Sequence, residues 1–491
     1  MRDAEKAAFA RGVEVETLMD QAGAGVARAI TKFLPYPGAC IVYAGKGHNA
    51  GDALVAAECL RRRGWKIEIR LAFKEGDCGE LMRKKLESLR KTPESRHEDP
   101  ADDPCAGSAC HAIILDGLLG LGAKPPLRKP VRTACRDLNQ LRQEKNAYVF
   151  AVDLPTGLDG NSGKTDRDGV VADFTVTIGF AKPGLVADGA LNFVGRLEVA
   201  PLDELRPPEK KENEIVACAP ALRELLRRRK YDAYKNQFGR IGIVAGSKGF
   251  TGAAIMCSLG ALRAGAGLVE AFVPEEIYEL VAAAAPPEAM VKPVKSYRNL
   301  LKEKIDVWAL GPGLGKSRAD EILELIEKAK QPMVVDADGL NILSGKIPTL
   351  KRCKGERLLT PHPGEMKRLF DNKKETRATT ATKFCRRFPV TLLLKGSRTI
   401  VAERDHPLSY NTTGNPGMAT GGMGDILTGV CAGLVGQRLS LYDAARLGAW
   451  MCGRAAEMSI FNGHASEESL LPRDVLDRLG DALNELHSSA I

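Results

Sequence analysis

The sequence predicts an α/β protein of two domains, each a three-layer αβα arrangement around a mainly parallel sheet. Three observations carry this reading. Short apolar runs of strand length alternate with helical stretches along the whole chain. Most of these runs end in glycine- or proline-bearing turns, and the carboxyl ends of strands are where open α/β sheets bind ligands. Between the two series lies Arg-Pro-Pro-Glu-Lys-Lys-Glu-Asn-Glu at residues 206–214, which has no apolar periodicity and carries helix-stopping prolines. This segment is read as the linker, giving a first domain at 1–205 and a second at 215–491. A chain of 491 residues is in any case longer than the roughly 250–300 residues at which single cores stop growing.

In the first domain, apolar spacing predicts a helix over 5–30 and strands over 39–44, 66–73, 112–116, 148–153 and 174–178, with helical stretches such as 51–63 between them. In the second, strands are expected at 239–246, 307–310, 333–336, 358–360 and 390–395, followed by an apolar helix over 426–434.

Composition narrows the function. The net charge of +9 is modest and its basic residues are scattered, so the run Arg227-Arg228-Arg229-Lys230 reads as a solvated helix end and not as a nucleic-acid patch. No stretch approaches the ~20 apolar residues of a membrane span, and the charged N-terminus lacks a signal-peptide core. The 12 cysteines include no CxxC pair, and the nearest grouping is Cys105, Cys110 and His111. Reduced structural thiols and a cytoplasmic location follow. The 50 glycines mark where chemistry is to be sought.

The strand at 39–44 runs into Gly45-Lys46-Gly47-His48-Asn49-Ala50-Gly51-Asp52. Glycines at such a turn let backbone amides approach a ligand, and the helix N-terminus that follows favours an anion. Two further loops lie at strand ends: Asp116-Gly117-Leu118-Leu119-Gly120-Leu121-Gly122 and Asp153-Leu154-Pro155-Thr156-Gly157. Together they make a pocket around Asn49, Asp116 and Asp153; capping of the following turn is the alternative for each carboxylate.

With these loops and the opening Thr17-Leu18-Met19-Asp20-Gln21-Ala22-Gly23, residues 1–205 resemble the NAD(P)H-hydrate epimerase family. The resemblance implies a Rossmann-like fold in which His48, Asn49, Ala50, Gly51 and Asp52 contact the hydrated nucleotide. It extends that contact to Gly120, Leu121, Gly122, Ala123, Lys124, Pro125 and Pro126, and to Asp153. It also implies a potassium ion held by Asn49, Asp116 and Thr156, hard oxygen ligands that suit it. Asp153 is taken as the acid/base group, since inversion at a carbon bearing hydroxyl and nitrogen needs one positioned carboxylate. The family usually carries Asn-Asn-Gly-Gly-Asp-Gly where this chain has His48 to Ala53, and Thr where Leu121 stands. Methyl groups at Ala50 and Ala53 are thus expected to crowd a phosphate.

The strongest local signal is Asn411-Thr412-Thr413-Gly414-Asn415-Pro416-Gly417-Met418-Ala419-Thr420-Gly421-Gly422-Met423-Gly424-Asp425 ahead of the apolar helix. So many glycines opening a helix make an anion cradle of backbone N–H groups, and Asp425 stands beside it. Phosphoryl transfer needs such amides and a carboxylate to take the proton of the attacking hydroxyl; a plain N-cap role for Asp425 is the alternative. Further strand-end loops are Gly311-Pro312-Gly313-Leu314-Gly315, Thr360-Pro361-His362-Pro363-Gly364-Glu365 and Lys395-Gly396-Ser397-Arg398-Thr399, and His362 between prolines is expected to meet ligand.

With Gly246-Ser247-Lys248-Gly249-Phe250-Thr251-Gly252-Ala253 and Asp336-Ala337-Asp338-Gly339, residues 220–485 resemble the ADP- or ATP-dependent NAD(P)H-hydrate dehydratases of the ribokinase-like superfamily. That resemblance implies hydrate contacts from Ala253, Gly313, Gly315, His362 and Asp425. It implies adenine-nucleotide contacts from Lys395, Gly396, Ser397, Arg398, Thr399 and Gly424, with Mg²⁺ bridging the phosphates. Asp425 would deprotonate the hydroxyl, the nucleotide would phosphorylate it, and phosphate would leave. The two resemblances imply small-molecule partners only and an assembly of several copies of the chain. The rival reading is a ribokinase-like small-molecule kinase with a non-catalytic nucleotide-binding first domain.

Overall fold

The computed structural model describes residues 1–93, 112–206, 212–371 and 375–488. Cys105, Cys110 and His111 lie outside them, as do residues 207–211 of the expected linker. The chain divides into two compact units, Met1–Lys211 and Glu212–Ile491.

In the first unit, β1 (Ala39–Ala44), β2 (Lys66–Leu71), β3 (Ala112–Gly117), β4 (Tyr148–Val152), β5 (Phe174–Ile178) and β6 (Arg196–Ala200) form one sheet in the order β2-β1-β3-β4-β5-β6. Every neighbouring pair is parallel. Ile41, Tyr43, Ile114, Val149 and Ala151 pack with the helix Val131–Glu144. The alternating Cys40, Val42, Ile113, Leu115 and Phe150 are buried on the other face. The chain steps from β1 outward to β2 and then back to β3, so the crevice for a ligand opens beyond the carboxyl ends of β1 and β3. The helix expected over 5–30 is two helices, Arg2–Ala10 and Val15–Phe33. The break falls at Gly12, whose φ of 88° leaves the helical region.

The second unit contains β7 (Glu214–Ala217), β8 (Arg240–Val244), β9 (Leu268–Pro274), β10 (Ala289–Val294), β11 (Val307–Leu310), β12 (Met333–Val335), β13 (Arg357–Leu359), β14 (Thr391–Leu394), β15 (Ile400–Ala402) and β16 (Leu408–Asn411). They form a ten-stranded sheet in the order β10-β9-β8-β11-β12-β13-β14-β15-β16-β7. It is parallel except where β15 pairs with β14 and with β16. β7 starts at Glu214, the last residue of the expected linker, and closes one edge by pairing with β16. β6, β7, β9, β10, β15 and β16 are additions to the strands read from sequence. In β9 and β10 the apolar run is broken by Glu270 and by Lys292-Pro293, and Glu270 is tolerated in the sheet because Lys292 reaches it at 2.6 Å.

The helix Met423–Gly436 crosses Thr251–Arg263 at backbone contact: a Cβ at Gly429 would lie 2.0 Å from the Cys257 carbonyl oxygen. That close approach fixes the N-terminus of Met423–Gly436, which carries Asp425.

Candidate active sites

The first site is built at the β1/β3 crevice. Gly45 sits against the next loop so closely that a Cβ there would be 1.9 Å from the Leu118 carbonyl oxygen. Asp116, fully buried near the end of β3, accepts hydrogen bonds from Thr156 N (2.7 Å), Thr156 Oγ1 (2.7 Å) and Leu118 N (3.2 Å). Leu119 N donates to Thr156 Oγ1 at 3.1 Å, and Asn49 Nδ2 donates to the Leu119 carbonyl at 3.1 Å. Asn49, Asp116 and Thr156 therefore meet around one turn, and the turn-capping alternative for Asp116 holds alongside. Burial pushes the Asp116 carboxyl up to about 6, against the pull of the Thr156 and Leu118 hydrogen bonds.

Asp153 follows β4 with a φ of 65°, a left-handed backbone that a non-glycine residue adopts only when its surroundings hold it. What holds it is an ion pair with Lys182, itself 5% exposed. Lys182 Nζ also donates to Thr177 Oγ1 (3.0 Å) and the Ile178 carbonyl (2.9 Å), while Ile178 N donates to Asp153 Oδ1 at 3.1 Å. The hydrogen bonds to the Asp153 carboxylate from Lys182, Ile178 and Thr177 all fall on Oδ1. Half-buried Asp52 stands in the same electrostatic neighbourhood. Burial and then the charges of Asp153 and Glu5 raise its proton affinity well above the ordinary carboxyl range, with Lys182 opposing.

Lys182 was not among the residues singled out from sequence, although Phe180-Ala181-Lys182-Pro183-Gly184 is a strand-end loop after β5 like the other three. Four expectations for the 48–53 segment change. The helix begins at His48, which is exposed. Ala50 is fully buried and offers a ligand no surface. The missing side chain of Gly51 makes room for Met19, whose sulfur would lie 2.4 Å from a Cβ at 51. Ala53 points inward, its Cβ facing Gly117, and so cannot crowd a phosphate. In the 120–126 loop, Gly122, Lys124 and Pro126 are exposed, whereas Gly120, Leu121, Ala123 and Pro125 are half-buried. Gly120 packs on Asn49.

The second site lies at the β8/β11 switch and along β12 to β14. Gly313, with a φ of 60°, fits against Phe250 and Ala253, and Ser247 Oγ donates to the Gly313 carbonyl at 2.7 Å. Gly315 N donates to Asp338 Oδ2 at 2.8 Å. The first turn of Met423–Gly436 presents amides that an α-helix leaves without internal partners, and its N-cap is Gly422 with a φ of 95°. Asp425 is thus not the cap. Its half-buried carboxylate has no hydrogen-bond partner among the described residues, and burial, reinforced by the charge of Asp336, pushes it up to about 7 against Lys395. A half-buried carboxylate titrating near neutrality is suited to act as a general base. Gly414 N donates to Glu457 Oε1 at 2.8 Å, which ties the glycine loop to the helix Leu441–Phe461.

Lys395, at the end of β14, binds Asp336 Oδ1 at 2.7 Å and lies 4.0 Å from Glu365 Oε2. Gly396 and Ser397 are exposed, but Arg398 is buried at 8% and presents little to a nucleotide. His362 is exposed and caps the helix Pro363–Leu369. Its Nδ1 accepts from Gly364 N (3.0 Å) and Glu365 N (3.3 Å), so Nε2 carries the proton. Among the described residues no group of three or more His, Cys, Asp or Glu side chains is arranged to hold a metal ion. No described helix is long and apolar enough to cross a membrane.

Residues 241–479 match the family described as NAD(P)H-hydrate dehydratase, and residues 15–184 match the YjeF-related protein N-terminus. The bifunctional NAD(P)H-hydrate repair enzyme Nnr of Moorella thermoacetica is 34% identical, over 96% of this chain and 92% of the relative. The enzyme of the same description from Escherichia coli is 33% identical, over 93% and 88%. The chain belongs to the family of bifunctional NAD(P)H-hydrate repair enzymes. Family membership does not favour the kinase alternative. A solved structure similar to the second half is the ADP/ATP-dependent NAD(P)H-hydrate dehydratase from Bacillus subtilis, co-crystallised with ATP and Mg²⁺. It is 27% identical with a TM-score of 0.48, covering 55% of this chain and 97% of that one.

Proposed function

We propose that this protein repairs hydrated NADH and NADPH in two steps, the first unit interconverting the hydrate epimers and the second dehydrating the S epimer at the expense of ADP or ATP. The observation that carries the reading is Asp425: an unpartnered, half-buried carboxylate in the first turn of a helix opened by a glycine loop, with Lys395 close by.

In the second unit, Ala253, Gly313, Gly315 and His362 would line the hydrate, the exposed 396–397 turn with Lys395 and Thr399 would hold the nucleotide, and Gly424 would face its phosphates. Asp425 takes the proton from the ring hydroxyl as its oxygen attacks the terminal phosphoryl group, and the nucleotide leaves one phosphate shorter. The phosphate ester then departs as the ring nitrogen pushes electrons toward the carbon, and loss of a ring proton restores the dihydropyridine. Mg²⁺ supplies charge neutralisation on the transferring phosphates. With no carboxylate cage among the described residues, it would arrive on the nucleotide and keep most of its own waters.

In the first unit, Asp153 Oδ2 would move the proton on the hydrate hydroxyl, with Asp52, whose proton affinity burial raises, as its neighbour. Potassium would be held at the turn of Asn49, Asp116 and Thr156, where the Thr156 hydroxyl meets the Asp116 carboxylate and the Asn49 amide nitrogen donates to the Leu119 carbonyl. The ten cysteines among the described residues are all free, which supports a reducing, cytoplasmic setting. An assembly of several copies is part of the proposal and is read by sedimentation.

The test is incubation of purified protein with each hydrate epimer and with ADP or ATP. Recovery of reduced-nicotinamide absorbance from both epimers is the expected result. A phosphorylated product that accumulates without such recovery would support the kinase alternative instead.

A further inference from the structure

Asp336 is among the most buried carboxylates in the second unit, 1% exposed. The fold leaves it no freedom. Its backbone follows β12 and is pressed against the β11 loop, where a Cβ at Gly311 would be 1.9 Å from the Asp336 carbonyl oxygen. Asp336 N donates to the Leu310 carbonyl at 3.0 Å. Both side-chain oxygens are engaged, Oδ1 by Lys395 Nζ at 2.7 Å and Oδ2 by Thr428 Oγ1 at 2.9 Å. Gly424 rests on this pair: a Cβ there would be 3.3 Å from Asp336 Oδ2 and 3.3 Å from Lys395 Nζ. The next residue is Asp425.

We propose that Asp336 is the positioning residue of the second site, clamping Lys395 from β14 and Thr428 from the Met423–Gly436 helix so that the ammonium and the Asp425 carboxylate face one cleft at a fixed separation. The inference rests on the dehydratase reading of this site. It assigns a task to a buried aspartate that need not touch substrate. An aspartate there serves two ends. It pins the flexible four-carbon stem of Lys395, which would otherwise fold onto Asp425 and neutralise the base. It also places a negative charge near Asp425 that helps the base hold a proton. The charged groups that act on Asp425 are Asp336 and Lys395, the thiol of Cys257 lies within its field, and Glu365 reaches Lys395 at 4.0 Å.

The test is the pH dependence of hydrate dehydration in Asp336→Asn and Lys395→Met, with KM for nucleotide measured alongside. Removing the Asp336 charge lowers the proton affinity of Asp425, so the acid limb of kcat moves to lower pH by about one unit, and a loosened Lys395 raises the nucleotide KM several-fold. Removing Lys395 moves the same limb upward. A merely structural role moves neither limb; unchanged limbs, or two that shift in the same direction, would overturn the proposal. If Asp336→Asn does not accumulate as folded protein, Lys395→Met alone decides, an upward shift supporting the inference and any other result contradicting it. Wild-type turnover is measured first. Its absence would remove the dehydratase reading, whereas normal turnover with unmoved limbs removes only the role of Asp336.

Discussion

Both units place a lysine beside a strand-end aspartate, buried in the first and half-buried in the second, but they use the pair differently. In the first, Lys182 is bound directly to Asp153, the residue expected to do the chemistry, and the hydrogen bonds fall on one carboxylate oxygen. In the second, Lys395 is bound to Asp336, while the expected base Asp425 is unpartnered and has its proton affinity raised to neutrality. A base that must leave its substrate phosphorylated has to take a proton fully, and a carboxylate titrating near 7 does that well at neutral pH. An epimerisation returns its proton to the substrate. There the carboxylate is held by Lys182, and Asp52, whose proton affinity burial raises, stands in the same electrostatic neighbourhood.

The comparison breaks most sharply on the two reacting carboxylates. Asp425→Asn is expected to lower dehydration by about 10²–10⁴-fold, the usual contribution of a general base, and to leave epimer exchange at the wild-type rate. Asp153→Asn is expected to do the reverse by a similar factor. If either variant impairs both reactions equally, the division of labour between the units fails.

Stability separates the sites next. Lys182→Met leaves the buried Asp153 without its partner, which costs about 3–5 kcal/mol when a buried pair loses one member. Denaturant unfolding followed on the first unit should show that loss, and the double variant with Asp153→Asn should regain part of it without regaining epimerisation. Asp425→Asn should act in the opposite sense. Because the folded-state proton affinity of Asp425 is raised to about 7, its contribution to stability is fully present below the unfolded value and is lost as pH rises through about 7. The neutral amide is therefore expected to be more stable than wild type at pH 8, by about 1–3 kcal/mol, and equal to it at pH 4. Thermal unfolding at the two pH values reads the difference. The smallest effect belongs to Gly424→Ala, where the added methyl meets Asp336 and Lys395 at 3.3 Å. A few-fold rise in nucleotide KM with little change in kcat is expected.

The strand-end glycine loops were legible because their composition is local: a β-run, a glycine turn and a helix start fall within some fifteen residues. Asn49, Asp116, Asp153 and Asp425 were found that way, whereas Thr156 came only from the family resemblance. Partnerships across the sheet were not. Lys182 lies 29 residues from Asp153 and Lys395 lies 59 from Asp336, so no window of sequence holds both members. Side-chain direction was equally hidden: the Ala53 methyl looked obstructive as a letter, yet it faces Gly117 in the interior. His362 carried two roles at once, and only the hydrogen bonds to its Nδ1 reveal the capping one. The strands β9 and β10 escaped because their charged residues are neutralised by each other, which periodicity does not register.

The most direct test is recovery of reduced-nicotinamide absorbance when the S hydrate is supplied with ADP or ATP, wild type and Asp425→Asn side by side across pH 5–9. The account predicts a wild-type rate that climbs through about pH 7 and a variant slower by about 10²–10⁴-fold at neutral pH and above. A variant that restores the cofactor as fast as wild type would contradict it.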